Sequence, residues 1–113
     1  MYEVIILKNN IEIAKMMGYK IKIVAIGTLV IINNVEVPIS TLKYDRNWNA
    51  LMTAITKIDE IMQELNNDHL YLSASAMVFH WAGHGNLEEA YNSVVAFAKL
   101  YNKTNEESTY KYE

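Results

Sequence analysis

Residues 70–81, "LYLSASAMVFHW", decide how the rest of the chain is assembled. The stretch carries no Asp, Glu, Lys or Arg, is rich in aromatic and small residues, and shows no polar stripe at helical spacing. This pattern reads as one long buried strand, or as two short strands divided near residues 73–75.

On its N-terminal side the periodicity changes. A helix is expected to start at Asp45 or Asn47, because Trp48, Leu51, Met52, Ile55, Ile58, Met62 and Leu65 recur at three- and four-residue spacing with Thr53, Lys57, Glu60 and Glu64 opposite. Asn66, Asn67 and Asp68 end it. On the C-terminal side Gly83, His84 and Gly85 break the chain, and Asn86 followed by Glu89 repeats a capping-box pattern. A last helix is expected there, with Leu87, Ala90, Tyr91, Val94, Ala98 and Tyr101 on its apolar stripe.

The first forty residues read as follows. Asn9, with Glu12 three residues later, looks like the capping-box start of a short helix through Ala14, Met16 and Met17, stopped by Gly18. Residues 2–7 fit either a separate strand or an earlier turn of that helix. Residues 19–26 alternate as a strand, Gly27 and Thr28 offer a turn, residues 29–32 continue as a second strand, and Asn33 and Asn34 break it. A third strand-like run, residues 35–40, contains Pro38, which cannot donate to a ladder and suits an edge. The expected fold is α+β, a small antiparallel sheet with two long helices packed on one face and a short N-terminal helix. Residues 1–103 would form one domain and residues 104–113 a polar, frayed tail.

Composition narrows the function classes. The chain of 113 residues is half apolar and a fifth charged, which suits a folded domain rather than a disordered segment. It has no cysteine, so disulfides, thiolate metal sites and a cysteine nucleophile are excluded. No apolar run approaches the roughly 20 residues of a membrane span, and no signal-peptide pattern opens the sequence. Asn102, Lys103 and Thr104 match a glycosylation acceptor, discounted without a secretory signal. Net charge is -3. The basic residues Lys20, Lys22, Lys43 and Arg46 would make at most a small patch, so a nucleic-acid surface is not expected.

Two histidines, His80 and His84, invite a metal. On a helix their spacing puts them about 6 Å apart, whereas on a strand it separates them by roughly 13 Å, too far to share one ion. With the strand reading, convergence requires a loop that folds back, and a third ligand from His69, Asp68, Glu88 or Glu89. Glu88 or Glu89 would be the base of such a hydrolase. A second reading uses Gly83, His84, Gly85 and Asn86 as an anion-binding loop at a helix N-terminus. The plainest reading makes Gly83 and Gly85 positive-φ turn residues and Asn86 a cap.

No serine lies in a nucleophile-elbow context, and Asp59, Glu60 and Glu64 read as a solvated helix face. No catalytic set and no cofactor is expected. Aromatic residues are more informative, since Tyr44, Trp48, Trp81, Tyr91 and Tyr101 would either pack the core or anchor a partner. The residues singled out for ligand binding are Trp81, Gly83, His84, Gly85, Asn86, Tyr44, Arg46 and Trp48, with His80 and His84 as the alternative metal pair.

Three segments, "KNNIEIAKMMGY", "LKYDRNWNALMTAITKI" and "LEEAYNSVVAFAKLYN", resemble in order and spacing a family of small uncharacterised proteins encoded by phages and prophages of Bacteroidetes. The shared positions are Ile13, Ala14, Met17 and Gly18; Tyr44, Trp48, Leu51 and Met52; and Glu89, Ala90, Tyr91, Val94, Val95, Phe97, Tyr101 and Asn102. The chain departs at Thr53, where the family has proline, and at Ala50, where it has an aromatic. The resemblance implies a phage or mobile-element protein in a bacterial cytoplasm and carries no activity with it.

Three functions follow as expectations. The first is a non-enzymatic accessory protein of counter-defence type that is homo-oligomeric and binds a host protein or a small anionic ligand such as a nucleotide. The others are a small metal-dependent hydrolase centred on His80 and His84, and a virion or assembly component.

Overall fold

In the computed structural model, which describes residues 2–111, the deciding stretch is a helix. Residue 1 and residues 112–113, the ends of the expected domain and tail, lie outside the described residues. The elements in chain order are α1 (Tyr2–Met16), β1 (Lys20–Val24), β2 (Gly27–Ile32), β3 (Val35–Pro38), a 3-10 turn (Ile39–Thr41), α2 (Trp48–Glu64), α3 (His69–Gly83) and α4 (Leu87–Lys111). The fold is α+β, with one three-stranded antiparallel sheet in the order β1-β2-β3.

The strand expected over residues 70–81 is therefore corrected to α3. Asp68 caps it by accepting the Leu70 N–H at 2.9 Å. Leu, Ala and Met favour a helix, and Tyr71, Ser75 and Val78 fall on one buried face at i, i+4 and i+7. The signal was hidden because the opposite face is apolar as well, so no polar stripe marks the 3.6-residue period. Ser75 remains compatible with burial because its hydroxyl donates to the Leu72 carbonyl at 2.9 Å.

Residues 2–7 are the first turns of α1, which settles the choice left open for them. The helix start expected at Asn9 is overturned, since Asn9 lies inside α1. Asn10 is buried, and its side chain turns outward from its own helix to accept a hydrogen bond from Tyr91.

Three of the helices end in the same double hydrogen bond, with a left-handed residue just past the helix. At Gly18 (φ 86°) the N–H groups of Gly18 and Tyr19 donate to Lys15 and Ala14, both at 3.0 Å. At Asn66 (φ 53°) those of Asn66 and Asn67 donate to Gln63 and Met62, at 3.2 and 2.9 Å. At Gly85 (φ 69°) those of Gly85 and Asn86 donate to Ala82 and Trp81, at 3.2 and 3.3 Å.

In the sheet, Ile21, Val30 and Val37 stand opposite one another across the three strands. This row faces Ala14 of α1 and Ile39 of the 3-10 turn, with Val30 fully buried. The principal helix against the sheet is thus α1. The β1–β2 turn is Ala25 and Ile26 rather than Gly27 and Thr28; Gly27 begins β2 with φ 138° and pairs with Val24. The β2–β3 turn is Asn33 and Asn34, both at positive φ, the conformation that matches the twist of paired strands. Pro38 ends the edge strand β3, as expected.

Helix α2 starts after Asn47, whose side chain accepts the Ala50 N–H at 3.1 Å. Its buried face is Leu51, Ala54, Ile55, Ile58, Ile61 and Met62, so Met52 and Leu65 of the expected stripe stay outside. These side chains pack with Tyr71 and Val78 of α3, Val94 and Phe97 of α4, and Ile13 of α1. Tyr71 lies 5.6 Å from Phe97 and 6.0 Å from Tyr101 between ring centroids, so α3 and α4 form an antiparallel hairpin. α4 runs on past Lys103 to Lys111. Asn102, the residue of the glycosylation pattern, is buried and donates to the Glu12 carbonyl at 2.8 Å.

Candidate functional site

The α3–α4 corner gathers three rings. With residue 80 on a helix, the His80 and His84 rings lie 4.3 Å apart between centroids, not the strand separation expected for them. Trp81 meets His80 edge-on at 4.8 Å. His84 Nδ1 donates to the His80 carbonyl at 2.8 Å, which leaves Nε2 as the ring's remaining polar atom. A third ligand is missing. His69 and Asp68 lie at the far end of α3, eleven or more residues and about 16 Å of helix away. Among the described residues no three His, Asp or Glu side chains group to hold a metal ion.

The loop between the helices serves the chain itself. Only Gly85 has positive φ; Gly83, expected to share that role, is the last residue of α3. Asn86 caps α4, its Oδ1 accepting the Glu89 N–H at 3.1 Å and its carbonyl the Ala90 N–H at 2.9 Å. Glu88 and Glu89 place two carboxylates in the first turn, where they answer the helix dipole that an anion would otherwise meet.

The other expected residues separate on folding. Tyr44 is buried in the helical core, and its phenol is held above the ordinary tyrosine range by burial and, next, by the neighbouring Tyr19. Trp48 and Trp81 pack half-buried against that core. Arg46 is exposed and pairs with Asp45, Nε to Oδ2 at 3.4 Å. Of the basic patch, Lys22 is paired with Glu36 across the sheet at 3.2 Å.

Arg46 borders a cavity of about 300 Å³ between α1 and the 3-10 turn, lined by Ile6, Leu7, Asn10, Ile39, Ser40, Asp45 and Arg46. This size lies at the lower end of small-molecule pockets. Its chemistry is mixed. Ile6, Leu7 and Ile39 form an apolar wall, Ser40 brings a hydroxyl, and Arg46 and Asp45 set a paired charge at the rim. Asn10, which also lines the cavity, accepts from Tyr91 through Oδ1, so its amide NH2 is the side chain's donor group. Sequence reasoning found Arg46 but not Asn10 or Ser40, because the cavity joins α1 to a turn some thirty residues later and no local pattern marks that meeting.

The chain matches no family model, no curated protein and no solved structure.

Proposed function

We propose that this protein is a non-enzymatic binding module that sequesters a small anionic ligand, in the role of a phage accessory factor. The observation that carries the reading is the cavity beside Arg46. A carboxylate or phosphate at the rim would be met by the Nη groups of the Arg46 guanidinium, which the pairing of Nε with Asp45 does not engage. The Asn10 amide and the Ser40 hydroxyl would take further acceptor atoms, while Ile6, Leu7 and Ile39 would cover an apolar ring or chain. Residence in a phage-encoded family rests on the three resembling segments.

The test is equilibrium binding by calorimetry with inorganic phosphate and a panel of mononucleotides, on the wild type and on Arg46→Ala. Binding that weakens about 10-fold or more in Arg46→Ala supports the reading, the loss expected for one charge-assisted contact. Absence of binding across the panel, joined to native mass spectra of cell-derived protein at the bare chain mass, overturns it.

A further inference from the structure

The cavity beside Arg46 is lined by a second charge that an anion does not answer. Asp45 lies deeper than its neighbour, with 10% of its side chain exposed against 70% for Arg46. A carboxylate offers about four acceptor positions, and here one is used, by the Arg46 Nε–H at 3.4 Å. That contact is long, since charged N–H···O bonds ordinarily span about 2.7–2.9 Å. Among the described residues no other donor reaches the Asp45 side chain. A carboxylate nine-tenths buried with open acceptor positions is costly, and a cationic donor relieves the cost.

We infer that the ligand of this cavity is a free α-amino acid with an apolar side chain, its ammonium on Asp45 and its carboxylate on Arg46. The inference rests on the reading of the cavity as a site for an anion, and adds the cation which that anion carries on the same molecule. Adjacency is the first ground. Asp45 and Arg46 are consecutive and their charged groups stand side by side, with Nε and Oδ2 3.4 Å apart. An α-amino acid bears its two charges on one carbon, so it meets both groups at once, which a molecule charged at its two ends does not.

Charge is the second ground. Asp45 and Arg46 are the acid and the cation of the lining. A phosphate dianion would be set against the Asp45 carboxylate, whereas a zwitterion brings as much positive charge as negative. Size is the third. At the ~30 Å³ that a water molecule occupies in the liquid, a cavity of about 300 Å³ takes about ten heavy atoms, close to a leucine and roughly half a mononucleotide. Ile6, Leu7 and Ile39 give the aliphatic side chain its wall, and the Ser40 hydroxyl accepts a further ammonium proton.

The chain holds the two charges in place before a ligand arrives. The Arg46 N–H closes a turn onto the Lys43 carbonyl at 3.2 Å, Tyr44 within that turn is buried in the helical core, and Asn47 caps α2 directly after it. What binding must order is chiefly the exposed Arg46 side chain.

The test is calorimetry of the full chain with L-leucine, with isocaproate, which is leucine without its ammonium, and with isoamylamine, which is leucine without its carboxylate. Leucine is expected to bind at least about 10-fold more tightly than either, since each analogue forfeits one charge-assisted contact. Asp45→Asn keeps the shape and removes the charge. It is expected to bring leucine down to the level of isocaproate, with the circular dichroism spectrum unchanged. A wild type that binds isocaproate or inorganic phosphate as tightly as leucine overturns the amino-acid assignment and leaves the anion reading standing. So does leucine binding that survives Asp45→Asn at full strength but is lost in Arg46→Ala. Failure of these three probes, of phosphate and of the mononucleotides together removes both.

Discussion

The Tyr91 hydroxyl of α4 donates to Asn10 Oδ1 of α1 at 2.8 Å, inside the core and across eighty-one positions of sequence. Together with Asn102 on the Glu12 carbonyl it ties the first helix to the last. Among the described residues no buried side-chain nitrogen or oxygen is left without a partner, so both ties close their polar accounts. Removing one member leaves the other stranded. Tyr91→Phe is expected to cost about 1–3 kcal/mol, measured as a lower urea midpoint at unchanged slope. A variant as stable as the wild type would mean that water satisfies Asn10 equally well.

The two glycines at the α3–α4 corner should respond in opposite directions. Neither has an atom within 4 Å of where a Cβ would stand, so space is not the difference between them. Gly83 is helical, and Gly83→Ala is expected to stabilise by about 0.5–1 kcal/mol through the cost of glycine in a helix. Gly85 has φ 69°, and Gly85→Ala is expected to destabilise by about 1–2 kcal/mol. Thermal unfolding of the two variants side by side reads both signs.

Burial holds the Tyr44 phenol above its unfolded value, with Tyr19 adding to the shift. A raised folded-state value for an acid means that the neutral form is the one the fold stabilises. Its contribution is therefore complete below the ordinary tyrosine range, about pH 10, and is lost as pH rises beyond it. Urea titrations at increasing pH should show stability falling above about pH 10, and Tyr44→Phe should flatten that fall.

Val30 is the buried residue of the sheet's central strand, and the sheet meets α1 through it. Val30→Ala is expected to cost about 1.5–3 kcal/mol from lost burial and the void left behind. The loss should fall unevenly. Amide exchange over residues 20–38 should quicken more than exchange in α2 and α4, because the sheet and the helical core are separate clusters joined at Leu42. Uniform loss of protection would show that the two clusters unfold as one.

Where one face is polar and the other apolar, the pattern in the chain was enough. α2 announces itself by its stripe and its Asn47 cap, α4 by Asn86 and its stripe, and the strands by alternation broken at Asn33 and Asn34. These signals are local, since a cap or a two-residue turn is satisfied by atoms within three or four positions. The same holds for Gly18 and Gly85, whose left-handed conformations close the last turn of their own helices.

What the tertiary structure decided are the features in which local signals are absent or misleading. α3 looked like a strand because both its faces are apolar, and it is helical because Tyr71, Ser75 and Val78 find α2 and α4 at helical spacing. Asn10 carries no local sign of its partner, because Tyr91 arrives from the other end of the chain and makes it a buried acceptor. The cavity beside Arg46 exists only where α1 passes the 3-10 turn. Local sequence determined the helix caps, the turns and most of the elements, because those are short-range hydrogen bonds. The packing partner determined α3 and the site, because burial depends on what lies opposite in space.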